Sequence, residues 1–246
     1  MSGWVATHVR INEDLAAHMA TLDEVMGKPT KEAIMNGKDD MVLDITVGRE
    51  ADNYVVATLE GDLTGKLIPN DRPWYRDAKA AGKTIYTDPY VAKSTGQTCI
   101  SFATPYYKAD GTFAGAICED ISLASMNTYV EQLNYKGEGI GTLITPTGKI
   151  IASKNPDMSN KDVADFPDLN KHFQDMVKNG SGMFTDDVDG TSSVITYATV
   201  DGANWIMVLT VPESVVYSEM TTMKIAFAVV TILGIILILA SAACSR

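Results

Sequence analysis

The sequence predicts an α+β protein: a long N-terminal helix, two successive α/β modules built on antiparallel sheets, and a C-terminal helix that crosses a membrane. Three observations predict it. Residues 4–26 are apolar at helical spacing, a pattern of strand, Asp-Gly turn, strand and helix start occurs twice, and residues 225–245 contain no charge.

The first helix has its apolar positions at Trp4, Val5, Val9, Leu15, Met19, Leu22 and Met26, and Pro29 breaks it. A short helical stretch, TKEAIMNG, follows, and residues 1–35 form the N-terminal helical segment. The stripe is long for one small module, which predicts pairing of two copies through this helix. The first module, 36–135, opens with the alternating strand MVLDITVG (41–48) and returns with NYVVATLEG (53–61) after a polar turn. A loop leads to a helix through RDAKAAGK, and residues 99–122 read as two strands joined at Asp110–Gly111. The second module, 136–212, repeats this grammar. GIGTLITPTGKIIASK is strand, turn, strand; DLNKHFQDMVKNG is a helix; hairpin turns follow at Asp189–Gly190 and Asp201–Gly202. YYKADGTFAGAICEDISLAS and YATVDGANWIMVLTVPESVV align as two uses of one unit.

Residues 213–246 then form an exit helix that runs into the membrane. From Ile225 to Ser245 there is no charged residue, with Lys224 and Arg246 bracketing the run. At about 1.5 Å per residue this spans roughly 30 Å, the thickness of a hydrocarbon core. The N-terminal stretch has neither the basic start nor the apolar run of a signal peptide. A chain with a membrane exit and no matching entry is expected to be part of a longer membrane protein.

Composition removes several function classes. A net charge of −11 offers no basic stripe to phosphates, so nucleic acid is not an expected partner. Cys99, Cys118 and Cys244 lack C-x-x-C spacing; Cys99 and Cys118 read as small buried thiols, with a disulfide between them the alternative. His8, His18 and His172 lie on predicted helices without metal-ligand spacing and read as solvated or half-buried. The acidic loop 155–168 lacks the calcium-loop frame, and no nucleophile elbow, phosphate loop or dinucleotide glycine pattern occurs. No cofactor or metal is expected, and the chain is not read as an enzyme.

The segment NDRPWYRDA (70–78) is the strongest candidate for chemistry. Pro73 can start a helix whose Trp74 and Tyr75 anchor it to a sheet; alternatively, Arg72, Trp74 and Tyr75 form a clamp, an aromatic wall beside a bidentate donor for a carboxylate. If the 99–122 hairpin turns at Asp110–Gly111, Ser101 faces Asp120 and Ala103 faces Cys118. One sheet face then carries Ser101, Ala103, Ala116, Cys118 and Asp120, small side chains that leave a concavity with one acid inside. Guanidinium to carboxylate and Asp120 to ammonium would suit a zwitterion.

RPWYRDA, YTDPYVAKSTGQTCISFATPYYKADGTFAGAICEDISL and GTLITPTGKIIAS, followed by an apolar exit helix, resemble the double Cache sensor domains of bacterial chemotaxis receptors, sensor histidine kinases and diguanylate cyclases. The resemblance covers roughly residues 36–212. It implies two PAS-like modules, residues 1–220 outside the cytoplasm of a cell-membrane protein, and a small-molecule ligand in the membrane-distal module. Within that family, amino-acid receptors use an R-x-W motif that matches Arg72 and Trp74, with Tyr75 as the following aromatic. The later family Tyr matches Tyr90, and the Asp that closes the last strand matches Asp120, an ammonium ligand. The sequence departs at two positions that hold the amino group in the family: Leu67 replaces a Tyr and Ala92 an Asp. A plain carboxylate, a modified amino acid or another small organic molecule therefore stands beside a free amino acid as the expected ligand. A membrane-tethered enzyme using Asp120 with Arg72, or a scaffold with an unused pocket, are the competing functions.

Overall fold

The computed structural model of the chain describes residues 2–24, 28–35, 40–218 and 231. The first helix, α1 (Ser2–Glu24), buries Val5, His8, Asn12, Ala16 and Met19, a stripe with steps of three and four. The buried stripe thus includes two polar residues that the apolar pattern did not mark. α1 lies on the strands β6 (Thr98–Tyr107) and β7 (Phe113–Ser122). After α2 (Lys31–Met35) come β1 (Val42–Arg49), β2 (Val55–Ala57), β3 (Gly61–Asp62), α3 (Pro73–Ala81), β4 (Ile85–Tyr86) and β5 (Tyr90–Val91), and α4 (Leu123–Glu131) follows β7. The first sheet has the order β3-β2-β1-β7-β6-β4, with β5 also paired to β6.

The second unit contains β8 (Ile140–Ile144), β9 (Ile150–Ser153), α5 (Pro167–Asn179), β10 (Ser181–Val188), β11 (Thr191–Val200), β12 (Trp205–Pro212) and α6 (Glu213–Val216). Its sheet order is β10-β11-β12-β8-β9. The two sheets share one topology: β9-β8-β12-β11 repeats β2-β1-β7-β6, each antiparallel. Asp189 and Gly190 both take positive φ, 51° and 77°, in the two-residue loop between β10 and β11, as a type I′ turn requires.

The hairpin between β6 and β7 pairs Ser101 with Asp120 and Ala103 with Cys118, the expected register. Its turn is longer than two residues. Gly111, at φ 82°, donates to the Lys108 carbonyl, and the register shifts by one residue between Tyr106 and Tyr107. Much of the hydrophobic core is continuous across both sheets. Phe102 and Tyr86 of the first meet Trp205 of the second at ring-centroid distances of 5.9 and 5.7 Å, beside α1.

Cys99 and Cys118 are buried free thiols. His8 corrects the expectation for the histidines: it is buried, with Nδ1 2.9 Å from Glu119, which also accepts from Asn12 at 2.8 Å. The apolar run 225–245, expected to cross a membrane, and most of the exit helix lie outside the described residues. Among the described residues no helix is long and apolar enough to cross a membrane.

Candidate functional site: a charged cavity in the first sheet

α3 begins with Pro73 at its first turn and ends at Gly82, whose φ of 66° closes the helix. Trp74, Tyr75 and Ala78 are its buried face, and they pack on Ala103, Ala116 and Cys118. α3 therefore covers Ala103 and Ala116 of that sheet face, and the concavity expected there is confined to its Cys118–Asp120 end. The anchoring role of Trp74 and Tyr75 is filled. The Tyr75 hydroxyl donates to Glu50 at 3.0 Å, and Tyr75 is not among the residues lining the cavity described next.

At the end of this face, beside the start of α3, lies a cavity of about 190 Å3. It has roughly the volume of six waters, which suits a small molecule. Its floor is formed by Asp44 and Thr46 of β1 and by Cys118 and Asp120 of β7. Trp74 forms a wall, with Leu63, Leu67 and Tyr90; Arg72, Lys66, Lys93, Ser94 and Glu60 complete the lining. Arg72 is half-buried, whereas Lys66, Lys93 and Glu60 are exposed. Of the sequence candidates, Arg72, Trp74, Tyr90 and Asp120 come together here. Ser101 lies fully buried behind Asp120, and Ala92 is buried outside the lining.

Asp120 is the organising group. Its Oδ1 accepts from the Ser101 hydroxyl at 2.6 Å, the Tyr90 hydroxyl at 2.8 Å and the Cys118 thiol at 3.2 Å. No hydrogen bond to its Oδ2 occurs among the described residues, which leaves that oxygen for a donor in the cavity. Burial pushes the Asp120 carboxyl above its ordinary value; the three donors oppose the rise, and the negative charge of Asp44 adds to it. The same burial pushes the Cys118 thiol well up and the Cys99 thiol up to about 12, so neither is a thiolate at neutral pH.

Asp44 was not among the sequence candidates. It is the register partner of Asp120, in a regular run of pairs that continues to Arg49–Gly115; the shift in pairing lies beyond it, between Val42 and Asp44. Asp44 Oδ1 accepts from the Thr58 hydroxyl at 2.6 Å and the Leu59 amide at 3.1 Å. The visible signal was an acid on the polar phase of the alternation in MVLDITVG, the phase it shares with Thr46. The cavity is thus polar in a directed sense. Two buried acids lie in its floor; nearer solvent three cations, Arg72, Lys66 and Lys93, without ion-pair partners among the described residues, outnumber the one exposed acid, Glu60.

The chain is similar to methyl-accepting chemotaxis protein PscA of Pseudomonas syringae pv. tomato, 31% identical over 185 residues, which is 73% of this chain and 28% of that one. It is 26% identical over 196 residues to PctB of Pseudomonas aeruginosa, covering 77% of this chain and 30% of that one. The chain therefore spans about 30% of the length of these relatives. Among solved structures, the PctB ligand-binding domain in complex with L-Arg superposes with a TM-score of 0.67 at 23% identity, over 88% of this chain and 90% of that one. The ligand-binding domain of Mlp24 with asparagine gives 0.56 at 26% identity, over 85% and 83%. Residues 11–220 match the family model of the Cache domain in its double form, and on that match the chain belongs to the double Cache family.

Proposed function

We propose that the chain is the ligand-sensing part of a membrane chemotaxis receptor, and that the cavity of its first sheet binds a small carboxylate or amino acid. The observation that carries this reading is the separation of charge in that cavity, with Asp44 and Asp120 in the floor and Arg72, Lys66 and Lys93 toward solvent. A zwitterion satisfies both ends: guanidinium and ammonium groups hold its carboxylate, and Asp120 receives its ammonium. Asp44 supplies an acid on the amino side, where Leu67 and Ala92 offer none. The relatives support the ligand class, since the PctB and Mlp24 domains are described with L-Arg and asparagine.

Occupancy has a short route to the signalling helices. Asp120 faces the cavity, while its neighbour Glu119 binds His8 and Asn12 of α1 from the opposite face of β7. A ligand that favours one placement of β7 shifts the position of α1 by its differential affinity. The run 225–245 carries the signal across the cell membrane, with residues 1–220 extracytoplasmic. Homodimerisation through α1 rests on the half-buried edge of Trp4, Val9, Leu15 and Leu22, because Val5, Ala16 and Met19 are buried in the chain's own core.

The test is a thermal-shift screen of the full chain over amino acids, organic acids, amines and purines, with calorimetry on the hits. A sensor returns its ligand chemically unchanged. Arg72→Ala is expected to weaken carboxylate ligands by at least about 2 kcal/mol, roughly thirty-fold. A folded Arg72→Ala protein that binds the same ligand as tightly as wild type would overturn the reading.

A further inference from the structure

The second sheet has a cavity of its own, of about 390 Å3, in the place that corresponds to the first. The correspondence follows from strand register. In the first sheet Asp44 pairs with Asp120 and Thr46 with Cys118, and all four line the cavity. In the second sheet Ile140 pairs with Thr210 and Thr142 with Val208, and these four line its cavity. β8 therefore stands for β1 and β12 for β7, with α5 covering the cavity as α3 covers the other.

The repeat has changed the chemistry. Where the first floor has two acids, the second has Ile140 and Thr210, and its walls are Phe166, Leu169, Phe184 and the methionines 158 and 176. No Lys or Arg is in the lining, whereas Asp157, Asp165, Asp168 and Asp189 are. Asp165 accepts from the Asp162 amide, and Asp168 lies 3.7 Å from Lys171. The carboxylates of Asp157 and Asp189 have no hydrogen-bond or ion-pair partner among the described residues. An anion would find apolar walls, a neutral floor and a negative rim; a cation with an apolar body would find both ends matched.

We propose that this cavity is a second small-molecule site, one that takes an apolar ammonium ion with its hydrocarbon on the Ile140–Val208 floor and its charge toward Asp157, Asp168 and Asp189. The site is independent of ligand binding in the first sheet.

Benzylammonium, with benzoate as its anionic counterpart, is a suitable probe of the full chain labelled with 13C at the methionine methyls. Met158 and Met176 line the cavity, while Met19 and Met126 are buried elsewhere and serve as internal references. The Met158 and Met176 signals are expected to shift saturably with benzylammonium and not with benzoate, both in wild type and in Asp120→Asn, which disables the first cavity. The combined Asp157→Asn, Asp168→Asn and Asp189→Asn variant should raise the dissociation constant about tenfold, the summed effect of three exposed charges. Thr210→Phe, which fills the floor, should abolish the shifts and guards against misfolding of the first variant. Absence of shifts at millimolar probe, equal shifts with benzoate, or loss of the shifts in Asp120→Asn would each overturn the proposal.

Discussion

Asp120 shows how one residue's surroundings set its behaviour. Its carboxyl is raised by burial, so the folded state holds the proton more tightly than the unfolded chain does. The associated stability is fully present below the ordinary Asp value near 3.9 and is lost as pH rises through the raised value. Thermal melts of wild type and Asp120→Asn between pH 4 and 8 check this: wild type should gain on the variant as pH falls. Ammonium ligands need the ionised form, so their affinity should decline on acidification, beginning at a higher pH than an unperturbed Asp would cause. A flat difference between the two melting profiles would remove burial as the controlling influence. Arg72 and Asp120 were legible as a pair of opposite charges near a hairpin; Asp44 was not, because the pairing of β1 with β7, strands far apart in sequence, sets it opposite Asp120.

Among the elements, β1 and β7 decide where the cavity can be. Gly48 and Gly115 lie where these strands and α3 converge, and their reason is close approach. A Cβ on Gly115 would overlap the Gly48 carbonyl oxygen and the Tyr106 hydroxyl, and one on Gly48 would sit 3.0 Å from both Pro69 and Tyr75. Gly115→Ala is therefore expected to cost about 1–3 kcal/mol or more, read as a lower urea midpoint with an unchanged slope. Loss of ligand affinity should accompany it, since the same strand carries Asp120. The repeat was legible in the two Asp-Gly turns, yet aligning on those turns sets Asp120 against Val211. Strand register sets it against Thr210, because the turn after β6 carries extra residues that the turn before β12 arranges differently. In a strand, that single step separates the cavity face from the opposite one.

Across the molecule, the two sheets share a core. Trp205 of β12 is almost fully buried against Phe102 and Tyr86, with Val5 of α1 in the same cluster. Trp205→Ala should cost about 3–5 kcal/mol and should loosen the first sheet as well as its own. The buried thiols of Cys99 and Cys118 report on the first sheet. In a Cys244→Ser background, their labelling by a thiol reagent during urea titration should move to lower denaturant when Trp205 is replaced. An unmoved labelling midpoint would mean that the sheets open separately. Such coupling gives α1, which buries its stripe in this common core, a way to register changes in either sheet.

By itself the sequence determined the element order, the doubled module and the hairpin register, because alternation, helical spacing and Asp-Gly turns are local and each is read within a few residues. It also singled out Arg72, Trp74, Tyr75, Ser101 and Asp120 as the residues to examine, with Tyr90 added by the resemblance. Tertiary structure decided what local pattern cannot hold. It turned Tyr75 toward Glu50, covered Ala103 and Ala116 with α3, buried His8 against Glu119 and set Asp44 beside Asp120. Each of these depends on which distant segment covers a given face, and that is settled by packing between residues 25 to 111 apart in sequence, as in the Tyr75–Glu50 and His8–Glu119 contacts.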